Sequence, residues 1–398
     1  MPGVSSVRTQ VAIIGAGPAG LLLSHLLAAG GIESVVIDKR SREAIETTVR
    51  AGILEADTVR LLSETGASAR VLSDGQRHDG VELRFAGEGH RIDFMELTGR
   101  GVWLYPQHEV LRDLIAARLA GGQDLRFQTE AAGVEDDGDE ARVLATGADG
   151  EPLTIEAEFA VGADGSRSVA RLAVTDSATG GYFREYPFAW FGILCEAPPS
   201  APELIYSNSS HGFALISQRS ATVQRMYLQC EPDLDPQSWS DEQIWEGLAA
   251  RVAPHPLIRG PIFQRDVLRF RSFVASSLRR GRIALVGDCA HTVPPTGAKG
   301  MNLAIADVVV LARALRALIG ERDRSLVESY EDDVLERVWK AQHFSWWMTQ
   351  MLHLQAEASE FDRRRQLGEL SSVVSSEAGR RYLAEAYTGW PLPLEERL

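Results

Sequence analysis

Apolar residues near the start of the chain form short runs separated by glycine-rich turns. The run at residues 11–14 predicts a buried strand, and residues 21–27 predict a helix that ends at Gly30 and Gly31. A second short apolar strand ends on Asp38. A strand, a turn, a helix and a parallel strand begin a doubly wound sheet. The pattern therefore predicts an α/β domain at the N-terminus, and residues 1–8 look like a loose leader before it.

The apolar pattern changes in the middle of the chain. From about residue 184 to residue 273, apolar and polar positions alternate in several segments, which is typical of an antiparallel sheet. One helix interrupts these segments, with Ser240 as its predicted N-cap. Residues 281–291 then predict a return to a buried parallel strand. A long helix is predicted from about Met301, and further helices fill the C-terminal part.

The order of these elements predicts the domain organisation. We predict an α/β fold, α+β overall, in which a Rossmann-like domain is interrupted by an antiparallel sheet and followed by a helical region. The Rossmann-like domain is predicted to comprise residues 7–78, 106–184 and 276–342. The inserted substrate-binding sheet is predicted at residues 79–105 and 185–275, and the helical C-terminal or interface region at residues 343–398.

Charge and composition narrow the classes of partner. The 398-residue chain has a formal net charge of −14, which argues against nucleic acid or an anionic membrane as a partner. An anionic ligand must therefore meet a local group of positive charges. Cys195, Cys230 and Cys289 are far apart, so we expect no disulfide framework and no metal site, and a cytoplasmic location. No signal peptide and no membrane-spanning run is predicted.

The first turn carries the spacing G-x-G-x-x-G at Gly15, Gly17 and Gly20. In this pattern the first glycine permits a tight turn, the second lets a pyrophosphate approach the backbone, and the third lets the helix pack closely on the strand. The helix start offers free N–H groups and a positive dipole end to the anion. Asp38 would accept hydrogen bonds from ribose hydroxyls. The motif predicts a dinucleotide site, but it fits FAD and NAD equally.

Two later stretches complete a set of three motifs. "VGADGSRSVAR" contains Asp164, and "ALVGDCAH" ends a strand on Gly287 and Asp288. With "GAGPAG", they resemble the flavin motifs of the FAD-dependent aromatic monooxygenases, in the same order. The resemblance implies non-covalent FAD, with the "TGAKG" turn and the next helix start facing the flavin ring, where Lys299 would favour negative charge. The implied cofactor-binding positions are Gly15, Gly17, Pro18, Ala19, Gly20, Asp38, Lys39, Arg50, Gln107, Asp164, Arg225, Gly287, Asp288, Pro295, Gly297, Lys299, Gly300, Met301 and Asn302.

The inserted sheet and the C-terminal segment make the resemblance more specific. The strings "ELIYSN", "GFALISQRSAT", "VPPTGAKGMNLA", "FSWWMT" and "SEAG…YTG" resemble the 4-hydroxybenzoate 3-monooxygenase (p-hydroxybenzoate hydroxylase) family. The match runs from about residue 10 to residue 391. It implies that Arg219, together with Ser217 and Tyr227, binds the substrate carboxylate. An arginine fork suits a carboxylate, because it can donate two parallel hydrogen bonds to it.

The resemblance also assigns catalytic roles around the substrate phenol. Tyr206 would bond the phenol oxygen, Tyr387 would bond Tyr206, and His78 would link this chain to solvent. A histidine titrates near pH ~6.5, so it can pass the phenol proton to water near neutrality. The carbonyl of Pro295 and the backbone near Thr296 would lie against the substrate hydroxyl and the site of attack.

The reaction that the resemblance implies is hydroxylation of 4-hydroxybenzoate at C3, which gives 3,4-dihydroxybenzoate (protocatechuate). NADH or NADPH would reduce FAD, and O₂ would then give a flavin C4a-hydroperoxide that attacks the ring. Glu43 and Glu46 would oppose a 2′-phosphate, and Thr48 stands where the best-known members carry an arginine. Both nucleotides remain open, with a lean towards NADH. The implied nucleotide-binding residues are Lys39, Arg40, Arg50, Arg167, Arg171 and Arg271.

Several alternatives stay open at this point. The same chemistry could act on 4-aminobenzoate or 3-amino-4-hydroxybenzoate, or attack at C1 with loss of CO₂ could give hydroquinone. A flavoprotein that binds FAD and a ligand without turnover, or an oxidase that releases H₂O₂, belongs to a different class. The apolar stretch at residues 344–353 is either core or a dimer face. The resemblance implies a homodimer.

Overall fold

The strands account for most of the middle of the chain. The computed structural model describes residues 5–48, 52–175, 180–355 and 357–394. Its strands, in chain order, are β1 (Ser5–Ile14), β2 (Ser34–Asp38), β3 (Ile53–Glu55), β4 (Gln76–His78), β5 (Gly80–Phe85), β6 (Glu88–Asp93), β7 (Val102–Leu104), β8 (Leu125–Phe127), β9 (Glu130–Asp136), β10 (Ala141–Thr146), β11 (Pro152–Gly162), β12 (Gly181–Glu196), β13 (Leu204–Ser209), β14 (Gly212–Gln218), β15 (Val223–Cys230), β16 (Ile262–Ala275), β17 (Arg279–Arg280), β18 (Ile283–Leu285) and β19 (His291–Thr292).

The helices lie mainly at the two ends of the chain. They are α1 (Pro18–Ala29), α2 (Arg42–Thr47), α3 (Ala56–Glu64), α4 (Val71–Asp74), α5 (Phe94–Thr98), α6 (Gln107–Ala120), α7 (Ala170–Val174), α8 (Asp241–Val252), α9 (Gly300–Arg316), α10 (Ser325–Glu328), α11 (Tyr330–Leu352), α12 (Glu360–Ser375) and α13 (Glu377–Thr388). The Ser240 side chain accepts from the N–H of Gln243 in a full capping box at α8, which confirms the predicted N-cap.

The first sheet has the mixed, largely parallel order of a doubly wound fold. β11, β1, β2 and β8 are parallel neighbours, and β18 adds to the other side of β11, also in parallel. The buried residues of this sheet pack with α1, α6 and α9 into one core. The α/β prediction and the predicted return of the chain to a parallel strand are both confirmed. Residues 5–8 are not a leader, because they pair with residues 153–156 of β11.

The second sheet is formed by eight strands in the order β19-β16-β12-β15-β14-β13-β5-β6. All its neighbours are antiparallel except β13 and β5, which run in parallel. One face packs against the C-terminal helices α11, α12 and α13, and the other packs against α8. The alternation in the sequence therefore predicted the sheet, and each of its faces covers a separate apolar cluster.

Two features cross the predicted domain boundaries. A small third sheet pairs β7 with β3 and β4, so it joins strands from both sides of residue 78. The boundary after residue 342 falls inside α11, which runs without a break from Tyr330 to Leu352. The three-part division stays a prediction, and a continuous helix means that the third part cannot start at residue 343 as an independent unit.

The stretch at residues 344–353 contributes mostly to the core. Phe344, Met348 and Met351 are fully buried, whereas Trp346 is 37% exposed. The homodimer stays a prediction. Within the described residues, no helix is long and apolar enough to cross a membrane.

Candidate active site

The glycine-rich turn between β1 and α1 has the geometry that a pyrophosphate needs. Gly15 has a φ of +110°, and a Cβ there would lie 2.3 Å from the Ala163 carbonyl oxygen. A Cβ on Gly20 would lie 2.0 Å from the Gly15 carbonyl oxygen, so only glycine lets the helix pack this closely. Gly17 caps α1 without a side-chain hydrogen bond, and a Cβ there would meet no atom closer than 4.0 Å. The backbone at Gly17 is therefore open to an anion.

Asp38 ends β2 beside this turn and is already hydrogen-bonded. Its carboxylate accepts from the N–H of Ala16 at 2.8 Å and from the guanidinium of Arg40 at 2.8 and 3.0 Å. Burial would raise the pKa of Asp38, but the bonds from Arg40 and Ala16 outweigh it, so the pKa lies below its ordinary value. Asp38 is thus ionised and placed to accept from a ribose, and Arg40 is its present partner.

Three turns meet at the carboxyl edge of the first sheet, where α/β folds bind ligands. The turn after β1 contains Gly15, the turn after β11 contains Asp164, and the turn after β18 contains Asp288. The Ala163 N–H donates to Ile14, which joins the first two turns. Asp164 accepts from Ser168 and from the N–H of Val169, whereas Asp288 is exposed. The three motifs read from the sequence therefore come together in space.

Arg171 connects two of these turns through backbone carbonyls. It is 7% exposed, its Nε donates to the Cys289 carbonyl at 2.8 Å, and its Nη2 donates to the carbonyls of Ser166 and Asp288. Burial lowers the pKa of this guanidinium. The nucleotide role expected for Arg171 stays a prediction, and it would use donors that now hold backbone carbonyls.

The start of α9 adds a second helix terminus to the site. Its first turn has no acidic residue and no side-chain cap, so the N–H groups at Gly300 and Met301 are available to an electron-rich ring. A Cβ on Gly300 would meet no heavy atom within 4 Å. Asn302 fixes this terminus, because its Oδ1 accepts from Glu55 N–H and its Nδ2 donates to Ile53. Gln107 stands at the start of α6, half-buried.

The expectation that Lys299 supplies positive charge to the flavin stays a prediction, and the structure shows the present contacts of this side chain. Its Nζ lies 2.6 Å from a Glu55 carboxylate oxygen and 2.8 Å from the Tyr387 carbonyl oxygen. Both charged side chains are nearly fully buried. Burial lowers the pKa of Lys299, and the neighbouring Glu55 carboxylate opposes that shift. The Glu55 carboxylate balances the charge of Lys299, and the contact with Tyr387 joins the last helix to the loop before α9.

The loop before α9 packs against α11. Pro295 begins a short turn, and its carbonyl accepts from the Ala298 N–H at 3.0 Å, which leaves a second lone pair. Thr349 on α11 donates to the Thr296 hydroxyl at 2.9 Å. A Cβ on Gly297 would lie 2.6 Å from the Ser345 hydroxyl oxygen. This close packing fixes the position of the loop.

Tyr206 on β13 and Tyr387 on α13 form a buried pair. Their hydroxyl oxygens are 2.8 Å apart, and each residue is 1% exposed. Burial raises the pKa of both tyrosines above the ordinary value of 10.0, so both are protonated at neutral pH. Only one of two hydroxyls can donate to the other. The second proton is therefore left for a third partner.

A group of two arginines lies on the neighbouring strands. Arg225 donates to both oxygens of Asp266, at 2.6 and 2.7 Å, and lies over the Tyr227 ring at 4.8 Å. Arg219 also lies beside Tyr227, but it forms no ion pair among the described residues. Its Nε is buried and has no hydrogen-bond partner there. Ser217 donates to the Arg225 carbonyl at 2.7 Å. The unpaired charge in this group therefore belongs to Arg219.

His78 is not exposed, as a link to solvent would suggest, but 2% exposed. Its Nε2 lies 2.7 Å from the Gln218 amide nitrogen, and its Nδ1 is buried without a partner. Within the described chain, no hydrogen bond joins His78 to Tyr387. Sequence analysis missed Gln218, although it stands between Ser217 and Arg219 in the quoted string "SQR".

The basic residues expected to bind the nucleotide have different surroundings. Arg167 and Arg271 are exposed, and Arg271 donates to the Ser166 hydroxyl. Lys39 pairs loosely with Glu130 at 3.7 Å. Arg50 lies outside the described residues. Sequence analysis also missed the buried pair of His291 and Asp307, which lie 2.7 Å apart; the Asp307 carboxylate also accepts from Gly287 N–H and so supports the third turn.

Comparison with known proteins identifies the family. A family model described as "FAD binding domain" matches residues 8–345. The p-hydroxybenzoate hydroxylase of Acinetobacter baylyi (strain ATCC 33305 / BD413 / ADP1) is 40% identical over 396 residues, which is 98% of each chain. The chain belongs to the p-hydroxybenzoate hydroxylase family of FAD-dependent aromatic monooxygenases.

More distant members of the same group are also similar. A 3-(3-hydroxy-phenyl)propionate/3-hydroxycinnamic acid hydroxylase of Mycobacterium avium (strain 104) is 26% identical over 350 residues, covering 83% of this chain and 59% of that protein. The crystal structure of p-nitrophenol 4-monooxygenase from Pseudomonas putida DLL-E4 superposes with a TM-score of 0.80 at 19% identity, covering 97% of this chain and 99% of that chain. That likeness shows that the fold is shared.

The residues present fit FAD, the cofactor of the family. The open backbone at Gly17 and the uncapped starts of α1 and α9 provide donors for the phosphates. Asp288 is exposed and provides an acceptor for hydroxyl groups. The chain is an FAD-dependent aromatic hydroxylase.

Two alanine substitutions in the first turn should act differently. Gly17→Ala should fold normally but weaken FAD binding about tenfold or more. The added methyl group keeps the pyrophosphate away from the backbone N–H, and losing one hydrogen bond to a charged group costs ~1.5–3 kcal/mol. Gly20→Ala should lower the free energy of unfolding by ~1–3 kcal/mol, because its Cβ meets backbone. FAD titration of the apoprotein and urea unfolding would measure the two effects. Equal FAD affinity in Gly17→Ala and wild type would contradict the assignment of this turn.

Proposed function

We propose that this enzyme hydroxylates 4-hydroxybenzoate at C3 to give 3,4-dihydroxybenzoate, using NAD(P)H and O₂. The observation that carries the proposal is that the second sheet combines Arg219, which has no ion pair in the described chain, with Tyr206, which forms a buried couple with Tyr387 of α13. A para-substituted ring with a carboxylate at one end and a phenol at the other matches these two features. The 40% identical relative carries the name of the same activity.

The register of the sheet supports a shared binding face. Tyr206 pairs with Leu215, and Leu215 pairs with Tyr227. Paired residues on neighbouring strands project to the same face, and so do residues two and four positions along a strand. Ser217 therefore belongs to the face of Tyr206, ~7 Å further along the strand direction. Arg219 directly follows the end of β14, ~14 Å along the same direction, and its N–H still donates to the Val223 carbonyl of the neighbouring strand. Arg219 can bridge part of that distance with its own side chain.

Arg219 would bind the carboxylate of the substrate. Its buried Nε lacks a partner, whereas the charge of Arg225 is held by Asp266. A buried guanidinium gains most from a bidentate carboxylate. Ser217 would have to turn its hydroxyl away from the Arg225 carbonyl to join this contact.

The tyrosine couple would hold and activate the phenol. Because both hydroxyls stay protonated, Tyr387 can donate to Tyr206 while Tyr206 donates to the phenol oxygen. A donor that points at this oxygen stabilises the phenolate more than the phenol. The phenolate makes the ring electron-rich at C3. The apolar residues around the couple, including Phe344 at 0% exposure, keep water from the ring.

Bound FAD supplies uptake of electrons from the nicotinamide nucleotide and activation of O₂. The chain contributes the helix starts at Gly17 and Gly300, which stabilise negative charge on the cofactor. Pro295 and Thr296 would border the reacting carbon, since the turn that holds them is fixed on α11.

The basic residues after β2 support NADH as the better reductant. Arg40 is bonded to Asp38, and Arg42 pairs with Glu46 at 2.6 Å. Lys39 has Glu130 as its partner. With each of these cations near a carboxylate, a 2′-phosphate would have to displace an existing partner. Arg167 and Arg271 remain exposed and would contact the nucleotide elsewhere.

Anaerobic mixing of the FAD-bound enzyme with NADH or NADPH tests the proposal. We expect 4-hydroxybenzoate to accelerate bleaching of the flavin, with NADH at least as effective as NADPH. Admission of air should then yield about one equivalent of 3,4-dihydroxybenzoate per nucleotide oxidised. Hydroquinone, a product only from aminobenzoates, or H₂O₂ without an aromatic product would contradict the proposal and point to the corresponding alternative.

Arg219→Ala should raise the Kd of 4-hydroxybenzoate by roughly two to three and a half decades, because breaking a buried charge pair costs ~3–5 kcal/mol. FAD content should not change. Titration of the flavin spectrum with the acid, and with the uncharged 4-hydroxybenzamide, would measure this. Arg219→Ala should bind the amide about as well as wild type does.

Arg269→Ala serves as the matched control, because Arg269 is exposed on the same sheet and pairs with Asp233. It should leave both dissociation constants unchanged. A Kd for 4-hydroxybenzoate within threefold of wild type in Arg219→Ala would show that the carboxylate binds elsewhere.

A further inference from the structure

His78 contacts Gln218, a residue for which the sequence predicted no role. His78 ends β4, and Gln218 ends β14. The two side chains meet at 2.7 Å between His78 Nε2 and Gln218 Nε2, and both residues are buried. A close approach of two nitrogens is favourable only if one donates and the other accepts. The identity of the donor therefore determines where the imidazole proton lies.

An amide nitrogen only donates, and the Pro202 carbonyl supports the orientation in which this nitrogen, and not the amide oxygen, faces His78. The same Gln218 Nε2 lies 3.4 Å from the Pro202 oxygen. A carbonyl oxygen can only accept, and an amide NH₂ group has two hydrogens to give. Gln218 thus donates to both Pro202 and His78. His78 Nε2 must be the acceptor, and the proton of the neutral ring lies on Nδ1, the atom that has no partner.

The pair lies behind a charged surface cleft. A cavity of about 430 Å³ is lined by Pro202 and by Arg77 and Asp79, the two neighbours of His78 in the chain. Glu203 and Arg91 also line it, and they pair at 2.7 Å. Arg77 and Asp79 pair at 2.8 Å.

The carboxylates of Glu203 and Asp79 act on the His78 ring from the two chain segments next to it. Burial lowers the pKa of His78, while Glu203 and Asp79 partly oppose that shift. Both acids are themselves paired with arginines, which weakens their pull on a proton. The direct contact with Gln218 is the remaining influence on the protonation of the His78 ring. An N–H donor at Nε2 disfavours a second proton there.

We propose that Gln218 is a positioning residue for proton release, which holds His78 as the neutral Nδ1–H tautomer behind this cleft. A proton added to the ring must go to Nε2, where it would meet the N–H of Gln218. The ring can take it up only when the amide turns its oxygen towards Nε2. The Nδ1 or Nε2 proton can then pass to water in the cleft, and no electron is transferred.

The proposal rests on the proposed function, because the proton in question comes from the substrate phenol. Its structural part does not require a substrate, however. The tautomer of His78 and its titration are properties of the FAD-bound enzyme alone, so they can be measured separately from turnover.

Gln218→Glu tests the proposal most directly. A carboxylate only accepts, so the variant should move the His78 proton to Nε2 and raise the midpoint of its titration by about one pH unit or more. Long-range ¹H–¹⁵N correlation spectra of the holoenzyme, labelled with ¹⁵N-histidine and recorded from pH 5 to 9, would show both. His78→Asn would identify the signal among the nine histidines of the chain.

Gln76→Glu is the matched control, because it places the same charge two residues from His78 on the same strand, and no hydrogen bond of the described residues joins Gln76 to the ring. It should keep the Nδ1–H tautomer and shift the midpoint only slightly. If Gln218→Glu does not retain FAD, Gln218→Leu replaces it and should give a mixture of tautomers. An unchanged tautomer in either variant, or a shift no larger than that of Gln76→Glu, would overturn the proposal.

The pH profile of kcat separates this inference from the proposed function. In Gln218→Glu, the acid limb for hydroxylation of 4-hydroxybenzoate should move upwards together with the titration midpoint. A profile that stays fixed while the tautomer changes would overturn the role in proton release. A wild-type enzyme that does not hydroxylate 4-hydroxybenzoate would instead contradict the proposed function.

Discussion

The hydrogen bond between Tyr206 and Tyr387 is the interaction on which the substrate face depends. It joins a central strand of the second sheet to the last helix, across 181 positions of the chain, at an oxygen–oxygen distance of 2.8 Å. A buried hydroxyl without a partner costs ~1–3 kcal/mol, so each tyrosine stabilises the position of the other. Since two hydroxyls share one bond, one proton remains for a third group. The fold thus builds a donor into an otherwise apolar cluster.

Most of the positive side chains described around this donor are paired with carboxylates. Lys299 is neutralised by Glu55, and Arg225 by Asp266, which leaves Arg219 as the cation of this region without an ion pair in the described chain. In a protein with a net charge of −14, one unpaired and partly desolvated guanidinium is a selective site for a small anion. The cofactor site uses backbone instead, with two helix starts and no side-chain cap at either.

Much of the fold could be predicted because its determinants are local. The G-x-G-x-x-G turn, the alternation of the second sheet and the Ser240 capping box each lie within a short segment. Pairing between distant segments could not be read in the same way. Residues 5–8 appear polar and loose by themselves, yet they complete a strand because β11 lies beside them.

Contacts between distant segments of the chain were also the part of the site that could not be predicted from the sequence. The glycine motif predicted the environment of Gly17, and the family resemblance implied the roles of Tyr206 and Arg219. Neither predicted which partners from distant parts of the chain would lie next to the site. The neutralisation of Lys299 comes from a residue 244 positions away, and Arg171 is buried by turns more than a hundred positions further along. The His78–Gln218 contact spans 140 positions and depends on a carbonyl in a third segment. A sequence specifies the groups, whereas the fold decides which charges stay unpaired.

Ionisation of the bound substrate is the most direct test of this account. The ultraviolet difference spectrum of 4-hydroxybenzoate bound to the oxidised enzyme, recorded against pH, reports the phenolate directly. A simple phenol ionises near pH ~10, and donation from Tyr206 should bring the phenolate band of the bound acid to a clearly lower pH than that of the free acid. Tyr206→Phe should remove most of this difference. A bound acid that ionises at the same pH as the free acid, or at a higher pH, would contradict the central claim that the tyrosine couple activates a phenol.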